Sequence, residues 1–326
     1  MRLTCAAISL RFKSGFLLLW LWVWEISMLM SQCCSPGNPV GGMTIPGNNR
    51  AEMWQLLTSY RYGYSGRYFE GSQPVAPTFI RSGNYQHLAV LLAYGLTDKL
   101  TIDLESGYFL NKTQLYAPGI IPEKLSGKGF TDLTLQVRGR LLQNSLKDIE
   151  ISSGAGLKIP VGSHEQKDGG LLLPQDLQPT TGSFDFVHSL FLYRGFLSDQ
   201  YRVFFSTRTE LRGLNPDGYR YGHLFLASGF FSWSPHYHWT FIQQLRTELR
   251  GRDTRPDTGS GIPTGSGREK VIPTGSVKFF AIPQLTFSPQ PEVHLSILCD
   301  LPLYQYYHDR QLATTTAVTL SLRTEF

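Results

Sequence analysis

The chain has 326 residues, with 30 Lys and Arg against 25 Asp and Glu, 13% aromatic residues and 32 glycines. Charged residues at 17% fall below the roughly 25% of an ordinary soluble domain, and glycine exceeds its usual ~7%. A helical membrane bundle needs several apolar runs of about 20 residues and a disordered chain lacks this aromatic and aliphatic content, so an all-β protein remains.

At the N-terminus, Arg2, Arg11 and Lys13 precede an apolar run from Phe16 to Trp24, and polar residues return by Ser31. This pattern predicts a signal peptide over 1–33, followed by a flexible tail over 34–50. Removing the signal lowers the net charge from +5 to about +3. No Lys/Arg cluster marks a nucleic-acid-binding face, so no nucleic acid partner is expected. Cys33 and Cys34 are a vicinal pair near the cleavage point and Cys299 stands far downstream. There is no CxxC spacing and no disulfide framework, and neither metal nor cofactor is expected.

From residue 51 to 326 the chain alternates apolar and polar residues in segments of about 10–14 residues. The last is the clearest: Val318, Leu320 and Leu322 share one face, while Thr319, Ser321, Arg323 and Glu325 share the other. Period two over such a length is a strand with one greasy and one polar side. Twelve strands are predicted, at 51–62, 83–95, 99–110, 129–142, 149–160, 184–197, 200–212, 219–233, 237–250, 276–288, 292–301 and 311–326. Longer connections at 63–82, 111–128, 161–183, 213–218, 251–275 and 302–310 alternate with short turns. An even strand count with alternating long loops and short turns is the pattern of an outer-membrane β-barrel, and a sandwich gives no reason for it. The long loop 251–275 is rich in Gly, Ser, Thr and Pro, which predicts a mobile external segment. A terminal Phe326 points to the barrel-assembly machinery and membrane lipid as partners.

Several stretches read together carry a resemblance. They are Tyr94-Gly95-Leu96-Thr97-Asp98, Gly154-Ala155-Gly156-Leu157-Lys158-Ile159-Pro160, Gln178-Pro179-Thr180-Thr181-Gly182-Ser183-Phe184-Asp185 and Leu301-Pro302-Leu303-Tyr304-Gln305-Tyr306. Their order over about residues 83–326 resembles the transporter-like outer-membrane barrels grouped as phenol meta-pathway degradation proteins. The resemblance implies an outer-membrane location and transport, with no settled substrate.

On the predicted polar faces lie Asp103, Glu105, Asp132, Arg138, Arg140, Arg202, Arg208, Glu210, Arg246, Glu248, Arg250 and Arg323. These are the candidate pore-lining residues, because rings of charge select solutes by sign. The arginine excess between 200 and 250 points to anionic or aromatic solutes. The opposing reading is that arginines and carboxylates pair across the lumen and plug a narrow barrel. An enzyme is not expected: His188 and Ser189 point to opposite faces of one strand, and no G-x-S-x-G elbow occurs. His236 and His238 share a face but lack a nearby third ligand. The expected function is an outer-membrane channel or passive transporter for small solutes. The alternatives are a non-conducting scaffold barrel and a barrel-borne lipid hydrolase.

Overall fold

A computed structural model describes residues 49–196 and 200–326. The predicted signal peptide and nearly all of the predicted tail lie outside the described residues. Asn49, at the end of that tail, is buried, its backbone N–H donating to Thr101 Oγ1 and its side chain to the Ala93 carbonyl.

Twelve long strands make the wall: β1 (Trp54–Ser65), β2 (Ile80–Thr97), β3 (Leu100–Tyr116), β4 (Leu133–Asn144), β5 (Ile149–Ile159), β6 (Asp185–Phe196), β7 (Tyr201–Leu211), β8 (Leu224–His236), β9 (Trp239–Arg250), β10 (Ser276–Gln290), β11 (Val293–Ala313) and β12 (Thr316–Glu325). Each pairs antiparallel with its neighbours in sequence. β12 then pairs with β1 from Gln55↔Glu325 to Tyr64↔Thr316 and closes the sheet. Closure is sealed at the chain end, where Trp54 and Phe326 exchange backbone hydrogen bonds of 2.7 and 3.0 Å. The fold is a twelve-stranded antiparallel barrel of the outer-membrane type, in which no backbone edge meets lipid.

Period two sorts the side chains as expected. Leu88, Val90, Leu135, Val137, Leu245, Ile297 and Leu320 are exposed on the outside, as an apolar band for lipid. Two aromatic girdles border it. Trp54, Trp233, Trp239 and Phe241 lie at the short-turn end, and Tyr62, Tyr64, Phe186, Phe279 and Tyr304 at the loop end. His188 interrupts this face, its Nε2 lying 3.1 Å from Ser153 Oγ on the adjacent strand.

The loop end differs from expectation in several places. The segment 302–310 is not a loop: β11 runs on to Ala313 because Leu301 to Tyr307 keep pairing with β10, and the connection to β12 shrinks to Thr314 and Thr315. The projecting strand is covered by a hairpin within 63–82, formed by Arg67–Gly71 and Gln73–Val75. The strand predicted from 219 begins at Leu224, which lengthens the loop before it. Finally, 251–275 is not an unpacked tract but a three-stranded sheet of Thr254–Pro256, Ile262–Pro263 and Arg268–Lys270. Its pin is Glu269, fully buried, which accepts hydrogen bonds from Arg255 Nε at 2.7 Å, Thr258 Oγ1 at 2.8 Å and the Gly261 N–H at 2.7 Å. Burial alone pushes this carboxyl up, but those bonds outweigh it and hold it down at about 2.

Two outcomes test this arrangement. Leu320, mid-strand and outward-facing, should not tolerate charge: Leu320→Arg is expected to cost about 2–4 kcal/mol, seen as lost heat-modifiable gel migration, whereas inward-facing Ser321→Arg keeps it. Thr319, also inward, is a poor choice for that control because Arg61 already bonds its hydroxyl. In the external sheet, Glu269→Ala should open the segment to added protease. Because the folded carboxyl is depressed, its contribution is complete above the unfolded value of about 4.5 and fades only as pH falls through about 2. Protection of the parent protein should therefore be equal at pH 7 and pH 5.

Candidate functional site: the barrel interior

The inward-facing side chains form a column that changes character from the short-turn end to the loop end. At the short-turn end lies a chamber of about 420 Å³. Its wall combines Phe204, Phe230, Tyr193 and Ile242 with Arg202, Arg323 and His294, and Ser, Thr and Gln side chains with Leu57, Tyr237 and Pro291 complete the lining. Phe204 and Phe230 stack at 4.4 Å between centroids, and Phe191 lies 6.1 Å from Phe204. Gln244 is shared with a second, smaller cavity of about 110 Å³ higher in the barrel.

Around and above that smaller cavity the charges interlock. Arg61 reaches Asp300 at 2.7 Å, and Arg246 binds the same carboxylate while lying over the Phe280 ring. Arg138 meets Asp103 at 3.0 Å. Arg208 bridges Glu105 at 2.7 Å and Glu210 at 3.0 Å. Lys158 sits among Asp132 at 3.2 Å, Glu210 at 3.3 Å and Asp185 at 3.9 Å, with Arg212 at 2.7 Å from Glu210. Lys278 pairs with Glu248, and Arg250 with Asp253. Nearer the short turns, Arg140 lies 3.5 Å from Glu150 and Arg323 3.8 Å from Glu325. Such pairs, largely out of water, are held by mutual attraction that must repay desolvation.

Above the charges, the loop predicted as external over 161–183 turns inward. Residues 176–183 are buried without interruption. A short 3-10 turn, Gln175–Leu177, drives Leu177 into a cluster with Tyr68, Ile80, Tyr116, Leu125, Leu173 and Leu312. Its buried backbone needs partners, and the wall supplies them. Lys112 Nζ donates to the Gln178 carbonyl at 3.1 Å, Thr181 donates through N–H and hydroxyl to Asp132, and Tyr221 donates to the Gln175 carbonyl at 3.1 Å. Gly127 is required beside it, since a Cβ there would lie 2.2 Å from the Leu177 carbonyl oxygen.

All twelve predicted residues are thus on the inner side, but the structure divides them. Asp103, Glu105, Asp132, Arg138, Arg208, Glu210, Arg246, Glu248 and Arg250 are in ion pairs around or above the small cavity; Arg202 and Arg323 line the chamber, and Arg140 stands beside Glu150 on the wall. The arginine excess between 200 and 250 does not leave a free positive wall, because Arg208 pairs with Glu105 and Glu210, Arg246 with Asp300 and Arg250 with Asp253. Arg61, Lys112, Lys158 and Asp185 were not among the candidates, although Arg61, Lys158 and Asp185 fall on the inward phase of predicted strands, as Asp300 does. The inward loop has no periodicity to announce it. His236 and His238 have ring centroids 5.4 Å apart, and among the described residues no cluster of three potential metal ligands occurs.

In overall fold the chain resembles the crystal structure of an outer-membrane channel from Pseudomonas putida F1, with a TM-score of 0.62 and 12% identity over 89% of this chain and 99% of that one. A Pseudomonas aeruginosa FadL homologue (TM-score 0.45, 9% identity, 87% and 95% covered) and the toluene transporter of Ralstonia pickettii (0.42, 10%, 85% and 90%) are more distant. No protein-family profile and no curated protein sequence matches the chain. At these identities the likeness establishes the barrel fold and says nothing of cargo.

The shared carboxylate is the point at which to test the lattice. Asp300→Asn leaves Arg61 and Arg246 facing each other and should cost about 3–5 kcal/mol, read as a lower temperature for heat-modified migration. Removing Arg246 as well should restore part of the loss.

Proposed function

We propose that this protein is a passive channel for small solutes in a bacterial outer membrane. One observation carries the reading: two cavities, sharing Gln244, stand in line inside a polar lumen while the outside of the barrel is apolar. A solute entering from the loop end meets the buried segment 176–183 first, then the paired charges, then the chamber. The column is narrow, so passage is selective by size and conductance is small. The sequence resemblance to the phenol meta-pathway degradation group supports the same reading, and its Gln178–Asp185 stretch takes in most of the buried segment 176–183. Lipid contact follows from the exterior, and the exposed terminal Phe326 supports recognition by the barrel-assembly machinery. Charge cancellation in the upper lumen argues against strong sign selectivity there; the preference for anionic or aromatic solutes rests on the chamber below.

Planar-bilayer recording tests the proposal. The parent protein should give small, discrete conductance steps, and replacing residues 165–180 by a short Gly-Ser bridge should enlarge them. Silence in both would favour the scaffold reading. Ser153–His188 on the lipid face and Ser288–His294, 2.7 Å apart inside the barrel, are contacts a hydrolase could use, yet the Ser153 hydroxyl also donates to the Ser189 carbonyl. Phospholipid hydrolysis abolished by Ser153→Ala would overturn the channel reading in favour of an enzyme.

A further inference from the structure

The loop end of an outer-membrane barrel meets the outer leaflet, and one sector of its outer face carries a distinct charge pattern. Three pairings set a row across neighbouring strands. Tyr64 lies opposite Asn84, Asn84 opposite Thr113, and Thr113 opposite Ser126 on the strand Lys124–Phe130. Opposed residues share a face of the sheet. Tyr64 is exposed on the outside, so the whole row points outward, with the Thr113 and Ser126 hydroxyls 2.9 Å apart.

Bases gather around this row. Lys124 and Lys128 flank Ser126 at period two, while the alternate Leu125 enters the inner cluster with Leu177. Arg81 occupies a bulge beside Ser82, which opposes Leu115 and, through it, Lys124. Arg67 precedes Tyr68, which also turns into the inner cluster, and so takes the outer phase. All four bases are exposed, and among the described residues none forms an ion pair. The nearby acids do not cancel them. Glu123 precedes Lys124 on the alternate phase, and Asp168, which accepts the Ser126 N–H at 2.8 Å, has the exposed Lys167 beside it. Elsewhere on the rim Arg310 pairs with Glu70 and Arg252 with Asp309.

Below the bases the surface turns apolar. Leu88, Tyr108 and Phe130 oppose one another in turn, with the Tyr108 and Phe130 rings edge-on at 5.0 Å. At about 3.3 Å per residue, Lys128 stands about 7 Å above Phe130. Tyr62 and Val90 carry the exposed apolar wall onward. A ligand that fits both levels has phosphates beside the bases and acyl chains against the wall. Guanidinium and ammonium groups hold phosphate through charge-assisted hydrogen bonds, and basic clusters beside an apolar span select anionic lipid headgroups.

We propose that this sector is a binding site for the phosphorylated glycolipid of the outer leaflet, with its phosphates on Arg67, Arg81, Lys124 and Lys128 and its acyl chains on the wall beneath. The site deepens the lipid contact proposed above; it rests on the outer-membrane location and is independent of conduction.

Native mass spectrometry of the full barrel in detergent tests it, with three probes: bisphosphorylated lipid A, the same lipid without phosphates, and phosphatidylglycerol. Lipid A should bind at least ten times more tightly than either of the others, and added salt should weaken it by screening. Arg81→Gln with Lys124→Gln and Lys128→Gln should weaken lipid A at least tenfold and leave the dephosphorylated lipid unchanged. Lys147→Gln, at an exposed short turn on the opposite end, should change nothing. Heat-modifiable migration identifies any variant that has failed to fold, and Arg81→Lys then serves as a milder change expected to retain most of the binding. Equal binding of lipid A and its dephosphorylated form, equal binding of phosphatidylglycerol, or indifference to the triple change in folded protein overturns the site. A silent barrel that binds lipid A as described would keep the site and lose the channel; a conducting barrel indifferent to the phosphates would do the reverse.

Discussion

A closed sheet in lipid has no choice about where its polar side chains go: every second residue must face inward. With twelve strands the interior is too narrow to hydrate many charges separately. The charges on β1, β3, β4, β5, β7, β9, β10 and β11 therefore have to satisfy one another, and this drives the rest of the interior. At an effective dielectric of about 20, two opposite charges 4 Å apart attract by about 4 kcal/mol. The exposed Arg310–Glu70 pair, in water, is of the type that contributes about 0–1 kcal/mol. The same two residue types thus make a lattice inside and a negligible contact outside.

The lattice does more than neutralise itself. Asp132 takes a share of Lys158 and two bonds from Thr181; Lys112, on β3, caps the Gln178 carbonyl. A loop drawn into a barrel loses water along its whole backbone, and these wall charges replace it. Leu177 and its apolar neighbours then supply the burial that keeps the segment in place. The cap and the charge network are consequently one construction, and a change at Asp132 acts on both.

The wall was legible in the sequence because its signal is local. Period two assigned Leu320 outward and Arg323 inward from the residues themselves, and the same rule would have found Arg61, Lys158 and Asp185 on their strands. What it cannot supply is which strands face each other across the lumen. The arginine excess between 200 and 250 is offset for this reason, since Glu105 and Asp300 reach Arg208 and Arg246 from β3 and β11, distant in sequence. The loops were misread for a different reason. Glu269 organises a tract of Gly, Ser, Thr and Pro through backbone and hydroxyl donors, which composition alone counts as featureless. Similarly, the extension of β11 depends on pairing with β10 beyond the barrel rim, where the polar run Tyr307-His308-Asp309 looks like a turn.

In the proposed channel, the tightly paired upper lumen and the roomier chamber below it have different tasks. A binding site on a transport path must hold a solute well enough to recruit it and loosely enough to release it. Buried arginines locked to carboxylates, such as Arg246 with 4% of its side chain exposed, have little left to offer a passing anion. Arg323, with 26% exposed and its described acid Glu325 3.8 Å away, is held less tightly and keeps more contact with water. In the proposed channel, its position near the short-turn end lies where a solute would leave the confined column. An equally charged but tightly paired residue higher in the barrel would shape the passage without ever competing for what moves through it.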